Sequence, residues 1–129
     1  MHRIFLQWAA LLGALAVGLG AFGAHSLKEY VPAETISTFE TGVRYQFYHV
    51  IGLIAVGILY ERLPGKWLRY AGYSFLWGIL LFSGSLYLLT ALKATGTIGI
   101  NGIGIITPFG GVFFIVGWVC LFIAVRSKQ

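Results

Sequence analysis

Four apolar runs, each close to the length of a membrane-crossing helix, occupy most of this 129-residue chain. The hydrocarbon core of a bilayer is about 30 Å thick and a helix rises about 1.5 Å per residue, so one crossing takes roughly 20 apolar residues. Residues 4–24, 43–60, 70–92 and 105–125 meet that requirement. A transmembrane barrel needs strands in which polar and apolar residues alternate, and Leu76-Trp77-Gly78-Ile79-Leu80-Leu81-Phe82 does not alternate. Only 10% of the residues are charged, 58% are hydrophobic and the mean hydropathy is +0.84, whereas soluble chains carry about 25% charged residues. The expected fold is therefore an all-α, four-helix bundle integral to the membrane, with residues 1–129 as one domain because no connection is long enough to separate two.

Arg3, the first apolar run and the small residues Ala21 to Ala24 imitate a secretory signal. The apolar region of a signal is only about 7–15 residues, so a retained first helix is expected. Basic residues in short loops stay on the cytoplasmic side. Arg3, Arg62, Lys66, Arg69, Arg126 and Lys128 fall on one side and Lys28, Arg44 and Lys93 on the other, which places both termini in the cytoplasm. The net charge of +5 then reads as topology signal and attraction to membrane lipids. No basic stripe follows one exposed helix or loop, and nucleic acid is not an expected partner. Cys120 is the lone cysteine and lies well inside the fourth run. It permits no internal disulfide and no multi-cysteine metal centre, and hydrocarbon disfavours its thiolate, so it reads as a small apolar filler.

Residues 25–42 are too polar to lie in lipid. Pro32 suits the first turn of a helix, and Ile36, Phe39 and Val43 recur at three- and four-residue spacing. A short amphipathic helix on the outer surface, leading into the second span, is expected here. Glu40 and Arg44 stand four apart in the order that favours an ion pair. Residues 93–105 carry Gly96, Gly99, Gly102 and Gly104, a density that opposes a long helix. Their Gly-x-x-Gly-x-Gly string is not a dinucleotide fingerprint and no Walker-type lysine follows. An outer-surface loop hugging the bundle is the expectation.

Polar groups inside spans are costly in hydrocarbon and usually face a bundle or cavity. The second span holds most of them. With Arg44 at zero and about 100° per residue, Tyr48 falls at about 40°, Gly52 at about 80°, Tyr45 at about 100° and His49 at about 140°, with Gln46, at about 200°, beside the arc they form. That arc is expected to face inward, with Phe47, Val50, Leu53 and Ile54 mostly toward lipid. Ser83, Tyr87 and Thr90 stack along the third span, the fourth opens with Thr107-Pro-Phe-Gly-Gly111, and His25 closes the first. One outer-leaflet layer thus collects His25, Arg44, Tyr45, Gln46, Tyr48, His49, Ser83, Tyr87 and Thr107. Gly18, Gly20, Gly52, Gly84, Gly110 and Gly111 are the candidates for close helix packing, and Ala10/Ala14/Gly18 and Ala16/Gly20/Ala24 form two small-residue ridges on the first span. Trp8, Trp67, Trp77 and Trp118 are expected as interface anchors near span ends and as lipid-facing or packing bulk where deeper.

Two accounts of the polar layer stand side by side. Its members satisfy one another as interhelical glue, worth about 0.6 kcal/mol per bond, or Arg44, His49 and the tyrosines bind a lipid headgroup, a quinone or another small amphiphile. Haem between His25 and His49 is a narrower version of the second, opposed by depth: with the boundary near Gly42, His49 sits roughly 10 Å inside while His25 is at the edge. Hydrolysis and proton pumping find no carboxylate in any span, so a Ser83 nucleophile with a His49 base lacks an orienting acid.

The motifs Gly20-Ala-Phe-Gly-Ala-His-Ser-Leu27, Tyr45-Gln-Phe-Tyr-His49, Phe82-Ser-Gly-Ser-Leu-Tyr-Leu-Leu89 and Thr107-Pro-Phe-Gly-Gly111, with Gly117-Trp118 beyond, resemble the bacterial membrane family called domain of unknown function 423, which is similar to the transmembrane-protein-256 group of eukaryotes. The resemblance spans nearly the whole chain. It implies a small four-helix integral membrane protein, places it in a bacterial inner membrane, and carries no activity, cofactor or metal with it. The functional expectation is a non-enzymatic accessory or interaction protein, docking on a membrane-protein partner or on itself, with the polar layer mainly structural.

Overall fold

The computed structural model describes residues 1–96 and 100–127, and in it the apolar runs become four helices long and apolar enough to cross a membrane. Helix α1 covers Arg3–His25, α2 Ala33–Leu59, α3 Lys66–Gly78, α4 Gly84–Ala94 and α5 Ile106–Arg126. A π-helical stretch, Ile79–Ser83, joins α3 to α4 without a break, so Lys66–Ala94 is one crossing of 29 residues. No strand occurs among the described residues. Gly99 and Lys128, used above for the loop and the orientation, lie outside the described residues.

The local chemistry explains the ends. The His2 Nδ1 atom accepts from the Phe5 backbone N–H at 3.4 Å, capping α1, while the His2 N–H donates to the Gly57 carbonyl at 2.8 Å and ties that end to α2. A single 3₁₀ turn, Leu27–Glu29, follows α1. The amphipathic outer segment is not a separate helix. It is the first turns of α2, with Thr35 and Phe39 buried and Glu34, Ser37 and Glu40 exposed. Pro32 supplies the extended residue before the first turn, and nothing between Ala33 and Leu59 stops the helix, since an interior glycine costs only about 1 kcal/mol. After α4 the chain reverses at Gly96, whose φ of 71° suits a residue without Cβ, and a 3₁₀ segment, Ile100–Ile105, delivers it to α5.

Helix α1 lies along α2, and α3 lies along α5; α2 joins the two pairs through α3, the π stretch and α4. Lipid tails are as apolar as leucine, so helix association rests on close packing more than on expulsion of water. Phenylalanines provide it by entering glycine notches. Phe5 covers Gly72, Phe114 covers Gly78 and Phe75 covers Gly117, and a Cβ at any of the three would overlap the ring. At Gly110 a Cβ would collide with the backbone of Phe82, inside the π stretch.

Among the expected packing glycines, Gly52 and Gly110 stand at such approaches; a Cβ on Gly52 would lie 3.1 Å from Phe75 and 3.2 Å from Trp118. Gly20 and Gly111 make ordinary contacts, with a Cβ 3.5 Å from Val43 and 3.9 Å from Phe82. Gly18 and Gly84 do not pack helices as expected. A Cβ on Gly18 meets nothing within 4 Å because the Ala10/Ala14/Gly18 ridge faces outward, and on Gly84 it meets only the Ile79 carbonyl of its own crossing. Gly84 instead borders a lateral groove between α1 and the third crossing, Lys66–Ala94.

Candidate functional site

The buried stripe of α2 runs through Gly42, Gln46, His49, Leu53 and Val56, three- and four-residue steps that share one face. This corrects the inward arc expected around Arg44. At about 100° per residue the stripe centres nearly opposite Arg44. Val50 and Leu53, assigned above to lipid, are core residues, while Arg44, Tyr45 and Tyr48 are exposed. The reason is charge: an inward Arg44 would need a buried acid, and the spans hold none, whereas outward it can extend to the headgroups. The Glu40–Arg44 ion pair is also absent. The one ion pair among the described residues joins the Met1 ammonium to Glu61 at 3.8 Å. Holding two long exposed side chains in one geometry costs as much as an exposed pair returns.

Gln46 is the hub of what remains. Almost fully buried at 1% exposure, it donates from Nε2 to the Leu12 carbonyl of α1 at 2.7 Å and accepts at Oε1 from the Tyr87 hydroxyl of α4 at 2.6 Å. Three crossings meet on one amide. One turn outward, Ser83 Oγ donates to the Gly42 carbonyl at 2.6 Å. Ser85 Oγ donates to the Phe82 carbonyl at 2.8 Å and meets Thr107 Oγ1 at 2.6 Å, which links α4 to the start of α5. Thr90 returns its hydroxyl to its own helix at Leu86.

His49 occupies an aromatic box. Its ring stacks on Phe114 with centroids 3.5 Å apart and planes 7° from parallel, and Phe75 and Trp118 close two further sides at 5.6 and 5.8 Å. The Nδ1 atom lies 2.6 Å from the Tyr45 carbonyl and Nε2 lies 3.0 Å from Trp118 Nε1. A carbonyl only accepts and an indole N–H only donates, so the arrangement requires the neutral tautomer with its proton on Nδ1. Selective ¹⁵N labelling of histidine should show that tautomer in the wild type and a displaced Nε2 resonance in Trp118→Phe; a proton on Nε2 would contradict the network.

The structure therefore brings together Gln46 with Tyr87, Ser83 with the α2 backbone, and Thr107 with Ser85, and it sets His49 against Trp118. It leaves His25 exposed at the end of α1 and turns Arg44 and Tyr48 outward, while Tyr45, partly exposed, keeps its ring against His49, Phe82 and Phe114. Trp118 and Ser85 were missed. Trp118 lies four residues beyond Phe114, so both face His49, a helical spacing visible in the sequence but without meaning until α2 is rotated correctly. A histidine with both nitrogens committed and no acid beside it is poorly placed as a base. The Nε2 atom, which a haem iron would take, is held by Trp118.

Four apolar crossings with a polar interior closed by its own hydrogen bonds define a small polytopic membrane protein. The chain belongs to the family described as "Protein of unknown function (DUF423)", whose profile matches residues 19–111. It is 42% identical to the UPF0382 membrane protein YwdK of Bacillus subtilis over 95% of each chain. Identity to a UPF0382 membrane protein of Haemophilus influenzae is 43%, covering 94% of this chain and 92% of that one. The UPF0382 inner membrane protein YgdD of Escherichia coli is 33% identical over 98% of this chain and 93% of its own. No solved structure matches.

Proposed function

We propose that the protein is an accessory membrane component with no chemistry of its own, a bundle whose polar interior sets helix register and whose outer faces meet lipid and membrane-protein neighbours, a second copy included. One observation carries this reading: among the described residues, no buried side-chain nitrogen or oxygen lacks a hydrogen-bond partner. The interior polar groups are engaged with one another across the crossings, as interhelical glue requires. The test is native mass spectrometry of protein extracted gently from its own membrane, wild type beside His49→Ala. The expected result is the same protein complement in both and a lower melting temperature in the variant. A stoichiometric molecule of quinone or haem mass, present in the wild type and lost in the variant, would overturn it.

The membrane we assign is the inner (plasma) membrane, with both termini cytoplasmic. Arg3, Arg62, Lys66, Arg69 and Arg126 lie at one end of the crossings, against Lys28, Arg44 and Lys93 at the other, and the Escherichia coli relative is called an inner membrane protein. Cys120 is buried, so introduced cysteines are labelled over a low background. Ser37→Cys should react with an impermeant maleimide in intact cells and Gly65→Cys only after lysis. The reverse pattern would invert the topology.

A further inference from the structure

The outward stripe of α2 carries Glu40, Arg44 and Tyr48 at four-residue spacing. Tyr48 forms part of one wall of a lateral groove of about 650 Å³ between α2 and α5, which Tyr45, Phe82, Val112, Ile115 and Trp118 also line. Arg44, exposed, stands one helical turn outward of Tyr48 on the same face of α2. With the outer hydrocarbon boundary near residues 40–42, the Arg44 backbone lies within about one helical turn of it, and Glu40 about 6 Å farther out. The arginine must extend outward to reach the phosphate level.

Arg44 and Glu40 do not pair with each other, nor with any other charged group among the described residues. A cation and an anion are therefore stacked along the membrane normal, the cation deeper, above a groove suited to hydrocarbon. The complement is a zwitterion with its anionic end inward, its cationic end outward and an apolar tail below. We propose that this groove binds one glycerophospholipid of the outer leaflet bearing a phosphoethanolamine headgroup. Arg44 takes the phosphate through a forked, charge-assisted contact. Glu40 accepts from the primary ammonium, and one acyl chain lies between α2 and α5. A quaternary ammonium has no N–H to give Glu40, and a glycerol headgroup has no cation. The groove between α1 and the third crossing, about 440 Å³, makes no such choice: no charged residue lines it, and Tyr87 and Gln46, which border it, are bonded to each other.

This goes beyond the accessory role and is tested separately from it. The delipidated full chain is offered an equimolar mixture of phosphatidylethanolamine, phosphatidylglycerol and phosphatidylcholine, and retained lipid is read by native mass spectrometry, with the melting temperature of each variant as the fold control. The wild type should keep one phosphatidylethanolamine, favoured about tenfold over the others, the scale of one charge-assisted hydrogen bond. Glu40→Gln should still hold lipid but lose the preference over phosphatidylglycerol. Arg44→Gln should lose retention about tenfold. Ile115→Trp, at a site 66% exposed on the groove wall, should exclude all three lipids while the bundle stays folded; Val112→Trp is a second block from the same helix. No retained lipid, preference for either other headgroup, retention unchanged in Arg44→Gln, or a lipid-free dimer would each overturn the proposal.

Discussion

Gly110→Leu should prevent the bundle from closing, and even Gly110→Ala should lower its stability. A Cβ at this position would overlap the Phe82 backbone nitrogen and lie 2.7 Å from the Phe82 Cα. Side-chain neighbours can rotate away from an intruding methyl, but this neighbour is backbone, locked in the π stretch that unites α3 and α4. Relief requires α5 to move off the third crossing, which draws Phe114 and Phe75 out of the notches at Gly78 and Gly117. Overpacking ordinarily costs about 1–3 kcal/mol. The alanine variant belongs near the top of that range and the leucine variant beyond it. Equilibrium unfolding in mixed micelles measures both. Gly18→Ala, which meets nothing within 4 Å, and Gly111→Ala, whose nearest neighbour is 3.9 Å away, should match the wild type or gain up to about 1 kcal/mol from losing a helical glycine. A Gly110→Leu protein as stable as these controls would show that α5 does not approach Phe82 as described.

Gln46→Leu should cost about 1–3 kcal/mol, the penalty for leaving a buried polar group unmatched, although single interhelical bonds in membranes average only about 0.6 kcal/mol. The larger figure follows from the hub. The substitution removes both bonds and strands the Tyr87 hydroxyl, while Leu12 retains its own helical hydrogen bonding and loses only a second donor. Tyr87→Phe should cost less, because Gln46 keeps its bond to Leu12. The double variant should then be no less stable than Gln46→Leu alone, since the stranded hydroxyl is gone. A double-mutant cycle reads that coupling directly; purely additive losses would mean that Gln46 and Tyr87 do not act as a pair.

The crossings were legible because hydrocarbon leaves a backbone few choices. About 20 apolar residues in a row must satisfy their own N–H and C=O groups, and a helix does so within one segment. The existence and approximate extent of all four followed, as did the polar character of the second span. Its rotation did not. In a soluble helix the hydrophobic stripe marks the core, but here lipid and core are equally apolar, so Val50 and Leu53 carry no label saying inside and Ile51 and Ile58 none saying outside. Placing Arg44 and His49 on one inward arc treated polarity as the label. Arginine's length lets it leave the bundle, while histidine's short side chain leaves it dependent on partners within reach.

The same distinction separates the glycines. Eighteen of them signal close packing in general, yet Gly18 faces outward while Gly110 rests on another crossing's backbone, because a missing side chain says nothing of what stands opposite. Run length and composition were enough for class and crossing number, since these depend on what each segment needs from its solvent. Which face of α2 is buried, the Gln46 hub, the His49–Trp118 bond and the grooves arise only when helices meet, because hydrogen bonds and notch packing depend on the partner residue as much as on the residue itself.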